Sequence, residues 1–480
     1  MVGITAYGAY IPRLRLNRQA VYDANKWFAP GLRGQAKGER SMANWDEDSI
    51  TMAVEASRDC LNGDGAEGTF DALFFASTTH PFKDRQNAGV ISTALHREDL
   101  SVADFAGSQK CATTALISAL DAAKNGRTVL VAAADRRQAK VASTNEMQYG
   151  DGAAAVLVGG KDAIANFLGA HSVSKDFVDH FRGDESETDY TWEERWIRDE
   201  GYAKIVPPAI KAALARLNLK GSDIAHFVMP ALMAAVPKQM AKMCGVAETA
   251  VRDSLAANLG DTGAAHAVMM LAHALEDAKA GEKIMVVAFG QGVDVLVFEA
   301  TAALAKLSKR NGVTGALARR KEEKNYMKFL AFQDLLPIDK GMRAEFDKKT
   351  ALSVLWRKRD MLYGLIGGKC RVCGTVQFPK SQVCVNPNCH AIDSQDPYAM
   401  AGLECNVMSF TADSLVYSPD PPGYYGMITF PEGGRFMADF TDSDKDQVKV
   451  GAKMRMTFRI RDNDQMRGGF KRYFWKAAPV

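Results

Sequence analysis

Short, strongly apolar stretches alternate with longer amphipathic ones through the first 300 residues. This pattern predicts strands at Gly3–Tyr10 and Ala72–Thr78 and helices at Ser49–Leu61 and Asn87–Leu95. A glycine turn then leads into an apolar strand within Tyr149–Gly160, YGDGAAAVLVGG. Because helical patterns lie between mostly apolar strands, we expect a largely parallel sheet covered by helices on both faces.

One helix–turn–strand unit occurs twice. A shift of 155 residues lays Ala119–Ala133 (ALDAAKNGRTVLVAA) on Ala274–Ala288 (ALEDAKAGEKIMVVA), with seven of fifteen positions identical. The same shift places Cys111 on His266 and the loop GSQ on the loop GDTG. Two α/β halves related by a pseudo-dyad would form a five-layered α-β-α-β-α fold in which the two helix starts face one site.

The composition changes after the second half. Residues 303–325 are basic, weakly apolar and contain glycine, which is typical of a linker, although a solvated helix fits their second part equally well. Short alternating strands with turn signals such as PEGG and DSDKD then predict a small antiparallel barrel. We therefore divide the chain into residues 1–160 and 161–302 (the two halves), 303–325 (linker), 326–402 (a helical segment through 366, then a cysteine-rich ribbon) and 403–480 (the barrel).

Four of the eight cysteines cluster within the stretch CRVCGTVQFPKSQVCVNPNC. A pair spaced Cys-x2-Cys is followed by a pair spaced Cys-x4-Cys, which is close to the spacing of a tetrathiolate zinc ribbon. His390 is an alternative ligand to its neighbour Cys389. The sequence thus predicts a structural zinc held by Cys370, Cys373, Cys384 and Cys389.

Charge and length exclude several classes of protein. The chain has 480 residues and a formal net charge of +3, with dispersed basic residues, which does not favour nucleic-acid binding. No apolar run approaches the roughly 20 residues that a membrane span needs. The start MVGITAYGAYIPRLRL lacks the layout of a signal peptide. We therefore expect a cytoplasmic protein of two or three domains.

The whole chain resembles a known combination of domains. The stretches VGITAYGAYIP, NWDEDSITMAVEA, FASTTHP, YGDGAAAVLVGG and AFGQG resemble the thiolase superfamily, in particular its 3-hydroxy-3-methylglutaryl-CoA synthase and ketoacyl-synthase branch. Residues 326–480 resemble zinc-ribbon and OB-fold proteins that accompany thiolase-like partners as separate subunits. The resemblance implies Claisen or retro-Claisen chemistry on CoA thioesters, with coenzyme A as part of the substrate.

The usual catalytic residues of that family are replaced in this chain. The resemblance implies a cysteine nucleophile at the start of the first repeated helix, and an alignment without gaps puts Gln109 there. In some ketosynthase-like decarboxylases a glutamine at this place supports the thioester enolate oxygen. Cys111 lies two residues onward, either as a packed small residue or as a shifted nucleophile. The family glutamate falls on Thr78, and the family histidine falls on Val228 or Pro230.

The second copy supplies substitute groups for proton transfer. Asp261 stands where the family has asparagine, and His266 follows it at the predicted helix start. His80 and His226 lie at or near strand ends that point the same way. Each histidine has a structural hydrogen bond as its alternative role, and Asp261 has helix capping as its alternative.

These residues predict an enzyme that makes or breaks a C–C bond of an acyl-CoA without an acyl-cysteine. An aldol or retro-aldol step on a 3-hydroxyacyl-CoA fits best, because it needs a base for the hydroxyl and donors for the enolate. One alternative is a condensing enzyme or acyltransferase of the 3-hydroxy-3-methylglutaryl-CoA synthase type that uses Cys111. Another is a non-catalytic scaffold that delivers CoA thioesters to a separate thiolase.

The substrate and partners are less specified. The aromatic, acidic stretch His180–Tyr202 is expected to wall the substrate pocket. Lys238 and Lys242 are candidate CoA contacts, because they follow the second-half strand. The resemblance implies a homodimer or higher oligomer, and another thiolase-fold protein is a candidate partner.

Overall fold

The computed structural model describes residues 1–62, 69–344 and 351–480. The chain divides into two compact units. The first consists of Met1–Asn44, Asp48–Ala88 and Asp99–Gln333, and the second of Trp45–Glu47, Gly89–Glu98 and Asp334–Val480.

The strands follow the apolar stretches of the sequence. Those of the first unit are β1 (Gly3–Tyr10), β2 (Leu14–Asn17), β3 (Glu39–Met42), β4 (Ala72–Ala76), β5 (Ser101–Phe105), β6 (Val129–Asp135), β7 (Gly152–Gly159), β8 (Ala165–Ser174), β9 (His180–Phe181), β10 (Tyr190–Thr191), β11 (Ile224–Val228), β12 (Lys283–Phe289), β13 (Gly292–Ala300) and β14 (Lys321–Glu323). Those of the second unit are β15 (Ile366–Cys370), β16 (Val376–Gln377), β17 (Gln395–Ala399), β18 (Glu404–Asp413), β19 (Gly423–Thr429), β20 (Arg435–Asp439), β21 (Lys453–Asp464) and β22 (Phe470–Pro479).

The helices follow the amphipathic stretches. They are α1 (Arg18–Asn25), α2 (Ser49–Cys60), α3 (Asn87–Ala94), α4 (Cys111–Lys124), α5 (Thr144–Gln148), α6 (Glu194–Trp196), α7 (Ala203–Arg216), α8 (Val236–Met243), α9 (His266–Asp277), α10 (Gly312–Ala318), α11 (Tyr326–Phe332), α12 (Leu352–Arg357) and α13 (Arg359–Leu362). A π-helical turn spans Ile197–Tyr202, and 3-10 turns lie at Pro30–Gln35, Gly221–Asp223, Glu248–Ala250, Gly263–Ala265, Leu304–Lys306, Met342–Ala344 and Gln465–Arg467.

The duplication seen in the sequence is present in the fold. Helix α4 and helix α9 begin at Cys111 and His266, the two positions that the 155-residue shift aligns, and each leads into a buried strand, β6 or β12. Within the described residues, nine strands form one sheet in the order β11-β12-β13-β8-β1-β7-β6-β4-β5. The halves are joined where β1 and β8 pair over two residues. From there outward β7, β6 and β4 of the first half correspond to β13, β12 and β11 of the second, and β5 is an additional strand of the first half.

The sheet is mixed, so the prediction of a largely parallel sheet was wrong. β6 and β7 pair antiparallel, as do β12 and β13, whereas β4 is parallel to both β5 and β6. The reason is local, since the turn at Gly290–Gln291 reverses the chain between β12 and β13 and leaves no room for a crossover helix.

The predicted five-layered α-β-α-β-α fold is confirmed. Helices α4 and α9 lie in the middle layer, where their buried alanine, leucine and valine side chains share a core with strands of both halves. Helix α2 covers the first half of the sheet, and α7 and α8 cover the second half. Both repeated helices therefore begin inside the protein, which is the condition for a shared site.

Residues 303–325 are folded into the first unit, contrary to the predicted linker. Val313 and Ala316 of α10 are fully buried in the central core. The Glu276 carboxylate accepts a hydrogen bond from the Val313 amide at 2.6 Å. Strand β14 pairs in parallel with β2. Apolar burial and backbone pairing together outweigh the basic, glycine-containing composition that suggested a linker.

The second unit contains the predicted ribbon and barrel. Strands β16, β15 and β17 form the ribbon sheet, and β20-β19-β18-β21-β22 form the antiparallel barrel sheet. Arg459, fully buried, bonds Asp442 at 2.8 Å and Glu47 at 3.0 Å. Of the helical segment predicted over 326–366, α11, α12 and α13 are observed, and residues 345–350 lie outside the described residues.

Candidate active site

A cavity of about 410 Å³ opens in the first unit where the two repeated helices begin. Polar side chains on its wall include Gln109, Arg137, Asp179, His180, Asp189 and Asp261. Aromatic side chains on its wall are Tyr149, Tyr190, Trp192, Tyr202 and Phe289. A few convergent polar groups within an otherwise aromatic cavity are typical of a small-molecule site.

Gln109 reaches the cavity from the loop that precedes α4. The Ser108 hydroxyl holds this loop by donating to the Gly290 carbonyl at 2.7 Å. With the Gln109 amide oriented by its hydrogen bonds, its oxygen accepts from Arg137 Nη1 at 2.6 Å and from Nη2 at 2.8 Å. Because the amide oxygen is occupied, the N–H₂ end is the part of Gln109 that remains to donate to a ligand.

Arg137 is the central cation of the site. Its side chain is only 1% exposed, and Nη2 donates to Asp189 Oδ2 at 2.6 Å and to the Tyr149 hydroxyl at 2.7 Å. The guanidinium also lies over the Tyr149 ring, with Cζ 3.7 Å from the ring centroid. Asp261 Oδ1 lies 3.4 Å from Nη1. A buried arginine held by so many partners fixes the Gln109 amide rigidly.

Asp189 balances this cation. It also accepts from Arg182 Nη1 at 2.7 Å and from the Tyr149 hydroxyl at 3.0 Å. Burial raises the pKa of Asp189, but the guanidinium groups of Arg137 and Arg182 outweigh burial and hold the pKa below its usual range. Burial likewise raises the pKa of Tyr149, so that its hydroxyl stays protonated. The ionised Asp189 carboxylate therefore holds the guanidinium groups of Arg137 and Arg182 in the site.

Cys111 does not reach the cavity. It is the first residue of α4, it is 4% exposed, and it packs in the central core. Burial, together with the charge of Asp135, raises the pKa of its thiol. Only the thiolate is a good nucleophile, so these surroundings disfavour acylation of Cys111.

Asp261 lies on the cavity wall, and one of its carboxylate oxygens is already bonded. Oδ1 accepts from the Gly263 amide at 2.7 Å and faces Arg137. His266 is 2% exposed, and both of its ring nitrogens are engaged. Nδ1 accepts from the Thr262 amide at 3.0 Å, and Nε2 lies 2.9 Å from the Ser254 carbonyl oxygen. The His266 ring therefore ties together the turn before α9, and it is absent from the wall of this cavity.

The other predicted residues lie away from the cavity wall. His226 Nε2 pairs with Glu282 at 3.0 Å, and Lys238 forms an exposed ion pair with Glu248 at 2.7 Å. Lys242 is exposed. His80 packs against Phe75, and burial lowers the pKa of its imidazole. The structure thus brings Gln109 and Asp261 together and leaves His80, His226, Lys238 and Lys242 elsewhere.

Sequence reasoning did not single out Asp135, which joins the residues after β4 to the turn before α9. Its carboxylate accepts from the amides and hydroxyls of Thr78 and Thr79, from the Ser77 hydroxyl and, at 2.7 Å, from the Ala264 amide. Gly263 approaches so closely that a Cβ there would lie 2.3 Å from Asp135 Oδ2, at a φ of +59°. A glycine is therefore required at this turn.

Arg137, Asp189 and the pair Asp179–His180 are further cavity residues that the sequence did not single out. Asp135 ends the fully buried strand β6 and Arg137 follows it in the sequence AADRR, and polar residues at the end of such a strand were an available signal. Asp179, His180 and Asp189 lie in a polar stretch without periodicity, so no comparable signal marked them individually. Residues of the stretch His180–Tyr202 do line the cavity, as expected.

A second cavity of about 200 Å³ adjoins the first. Both are lined by Gln148, Ala231, Leu232 and Asp261, and the second is also lined by Arg18, Gln35, Lys37 and His266. Arg18 is held by its Nη2, which donates to the Ala256 carbonyl at 2.6 Å. The second cavity thus has two cationic side chains, Arg18 and Lys37, on its wall and shares Asp261 with the first.

The four cysteines of the ribbon fit one tetrahedral metal ion. Their sulfur atoms all lie within 4.8 Å of one another. The Cys370 and Cys389 sulfurs are 3.9 Å apart, and those of Cys373 and Cys384 are 3.5 Å apart. Zinc–sulfur bonds of about 2.3 Å in a tetrahedron place the sulfurs about 3.8 Å apart. His390 is not a member of this cluster.

Three family models match parts of the chain. Residues 214–298 match the C-terminal region of 3-oxoacyl-[acyl-carrier-protein] synthase III. Residues 361–392 match the rubredoxin-like zinc ribbon domain of ChsH2, and residues 398–459 match the C-terminal OB-fold domain of ChsH2.

Relatives cover the first unit at moderate identity. The hydroxymethylglutaryl-CoA synthase of Caldivirga maquilingensis is 29% identical over 351 residues, covering 71% of this chain and 99% of that protein. The synthase of Thermococcus sibiricus is 29% identical over 298 residues, covering 61% and 83%.

Solved structures support the fold. An HMG-CoA synthase complexed with CoA superposes with a TM-score of 0.59 at 17% identity, covering 73% of this chain and 95% of that chain. The 3-oxoacyl-[acyl-carrier-protein] synthase III of Aquifex aeolicus gives 0.54 at 18% identity, covering 62% and 100%. In the described residues no helix has the length and apolar character to span a membrane.

Fold, family models and relatives agree. The chain joins a thiolase-like domain, similar to hydroxymethylglutaryl-CoA synthases, to regions that match the zinc ribbon and OB-fold domains of ChsH2.

Proposed function

We propose that this protein cleaves or forms a C–C bond of a 3-hydroxyacyl-CoA without a covalent acyl-enzyme, by a retro-aldol or aldol step. The observation that carries the proposal is the Gln109 amide, fixed by Arg137 on the cavity wall. The cysteine nearby, Cys111, is buried in the core.

The cleavage needs a base and a site for negative charge. A base removes the proton of the C3 hydroxyl, the C2–C3 bond breaks, and its electron pair forms the thioester enolate as a carbonyl product leaves. Protonation at C2 then gives the shorter acyl-CoA. In this proposal the N–H₂ of Gln109 donates to the enolate oxygen, and a rigid donor to developing charge is a strong catalytic element.

The CoA part of the substrate is proposed to enter through the second cavity. Relatives of this chain act on or bind CoA compounds by name, and the second cavity shares part of its wall with the first. Lys37, exposed on that wall, offers a cation to the CoA phosphates. We expect Lys37→Glu to raise KM for CoA substrates several-fold and to leave kcat unchanged.

The four ribbon cysteines are proposed to hold one structural zinc, because their sulfur atoms fit a closed tetrahedral site. We expect one zinc per chain by metal analysis. A value well below one would contradict this assignment.

A homodimer is proposed for the first unit. Strand β5 lies at the edge of the sheet. The backbone N–H and C=O groups on its outer side are available to pair with the same strand of a second copy. Light scattering after size exclusion should give twice the chain mass. A monomer, or a stable complex with another thiolase-fold protein, would contradict the homodimer.

The reaction is tested by incubating the purified chain with 3-hydroxyacyl-CoA thioesters and separating the products. We expect a shorter acyl-CoA and a carbonyl compound in equal amounts, with no acyl adduct in the intact mass of the protein. Cys111→Ser should retain turnover within about twofold, because the thiol is buried away from the cavity. A stable adduct on Cys111 would overturn the proposal in favour of a synthase-like acyltransferase.

A further inference from the structure

A histidine–carboxylate pair lies on the cavity wall beside the Gln109 site. His180 Nδ1 is 2.9 Å from Asp179 Oδ2, and both residues line the cavity. Asp179 is 8% exposed. Its backbone is held in place because the Asp179 carbonyl oxygen accepts a hydrogen bond from the Trp192 amide at 2.9 Å. His180 opens β9, which pairs with β10 through His180 and Thr191. The pair is thus held by a small hairpin.

The other ring nitrogen of His180 remains open. Within the described residues, no hydrogen bond to Nε2 is formed, and the side chain keeps 16% of its surface exposed at the cavity. A carboxylate that accepts from Nδ1–H leaves the lone pair on Nε2, which is the arrangement of a general base. The same carboxylate stabilises the imidazolium formed when Nε2 takes a proton.

Several charged side chains from neighbouring segments lie near His180. Asp189 faces it, and that carboxylate is shared between Arg137 and Arg182. The Tyr202 hydroxyl lies near Asp179. Lys140 and Glu194 also lie on the cavity wall. Since Asp189 is neutralised by two guanidinium groups, Asp179 is the carboxylate that acts directly on His180.

We propose that His180 is the acid–base catalyst of this site and that Asp179 is its positioning residue. This inference rests on the proposed function. His180 Nε2 accepts the proton of the C3 hydroxyl while the C2–C3 bond breaks and the electron pair passes to the thioester enolate. The resulting imidazolium returns that proton to C2, so His180 ends neutral and no other reactant is needed.

His180→Gln tests the catalyst, and His171→Gln is a matched control. His171 lies on β8 with its ring near Arg216, and it is absent from the cavity wall. We expect kcat for cleavage to fall about 10²- to 10⁴-fold in His180→Gln and to be unchanged in the control. Added imidazole should restore part of the activity of His180→Ala, which a merely structural role would not allow.

The pH profile tests the role of Asp179. Wild-type kcat/KM should fall on the acid side, because a protonated base cannot accept the proton of the C3 hydroxyl. Asp179→Asn should lower kcat and move that limb to lower pH, because an amide does not stabilise the imidazolium. Far-ultraviolet circular dichroism should show that Asp179→Asn and His180→Gln are both folded.

The outcomes separate the two proposals. If the wild-type chain produces no cleavage product from any 3-hydroxyacyl-CoA, the proposed function itself fails. If the wild type cleaves and His180→Gln retains turnover within threefold with the same acid limb, only the assignment of His180 is overturned.

Discussion

The segment that opens α4 and the segment that opens α9 occupy equal places in the two copies, yet their polar side chains meet different surroundings. In the first copy, Gln109 turns to the cavity and its amide oxygen is held by Arg137. In the second copy, Asp261 caps the Gly263 amide and His266 has both ring nitrogens bonded within its own turn.

Duplication of the helix–turn–strand unit thus places two helix starts at one site, but the polar side chains at the two starts have different surroundings. The first start turns Gln109 to the cavity, whereas the second start bonds its polar side chains within its own turn. Arg137 contacts both, through Gln109 and Asp261. Variants at these positions should therefore separate effects on the rate from effects on stability.

Arg137→Met removes the residue that contacts both helix starts, and we expect it to have the largest effect on stability and activity. The change leaves Asp189 and Asp261 without their buried cation, so we expect the free energy of unfolding to fall by about 3–5 kcal/mol and cleavage to be lost. Urea denaturation measures the first and product formation the second. Arg137→Lys, which keeps the charge, should retain part of the stability. A loss below about 1 kcal/mol for Arg137→Met would contradict the central role of this residue.

Gln109→Ala tests the catalytic side of the comparison. Removing the proposed donor to the enolate oxygen should lower kcat of the folded variant about 10²- to 10³-fold. Gln138→Ala is a matched control, since Gln138 bonds the Gln333 carbonyl and is absent from the cavity wall. Equal turnover of Gln109→Ala and wild type would remove the amide from the mechanism.

His266→Ala tests the structural side and should have the opposite signature. The Thr262 amide and the Ser254 carbonyl lose their buried partner, so unfolding should become easier by about 1–3 kcal/mol. We expect kcat of the folded variant to change less than threefold. A large fall in kcat without a loss of stability would return His266 to the catalytic role that the sequence suggested.

The free energy of unfolding should depend weakly on pH in the acid range, because Asp189 becomes protonated there. Its pKa is lowered in the folded state, so its ionised form is favoured by folding. That contribution is fully present above the unfolded pKa of about 3.9 and is lost as the pH falls through the lowered folded pKa. The difference in unfolding free energy between wild type and Asp189→Asn should therefore shrink from pH 6 towards pH 3. A difference that grows in acid would contradict this sign.

Much of the fold followed from the sequence because its signals are local. The strand at Gly3–Tyr10 and the starts of α4 and α9 lie where periodicity and the 155-residue shift predicted them. The mixed sheet and the folded stretch 303–325 were not predicted, because strand direction and the burial of α10 depend on which distant residues pack against each segment.

The site was predictable only in part. The sequence pointed to Gln109 and Asp261 through the repeat, and both lie on the cavity wall. It also pointed to His226 and Lys238, whose partners Glu282 and Glu248 engage them elsewhere. Apolar periodicity predicts the positions of strands and helices. It does not predict which charged side chains will form ion pairs with residues of other segments.

The sequence by itself determined the duplicated α/β plan and the four-cysteine ribbon, since each rests on spacing within a continuous stretch, and its resemblance to the thiolase superfamily implies that Gln109 stands in the place of the family nucleophile. Only the tertiary structure decided the chemistry around Gln109. Arg137 and Asp189 stand 52 residues apart and meet at 2.6 Å, and His180 joins the same cavity from an irregular stretch. Side chains so distant along the chain acquire their charge partners only when folding buries them together and excludes the water that would otherwise separate them.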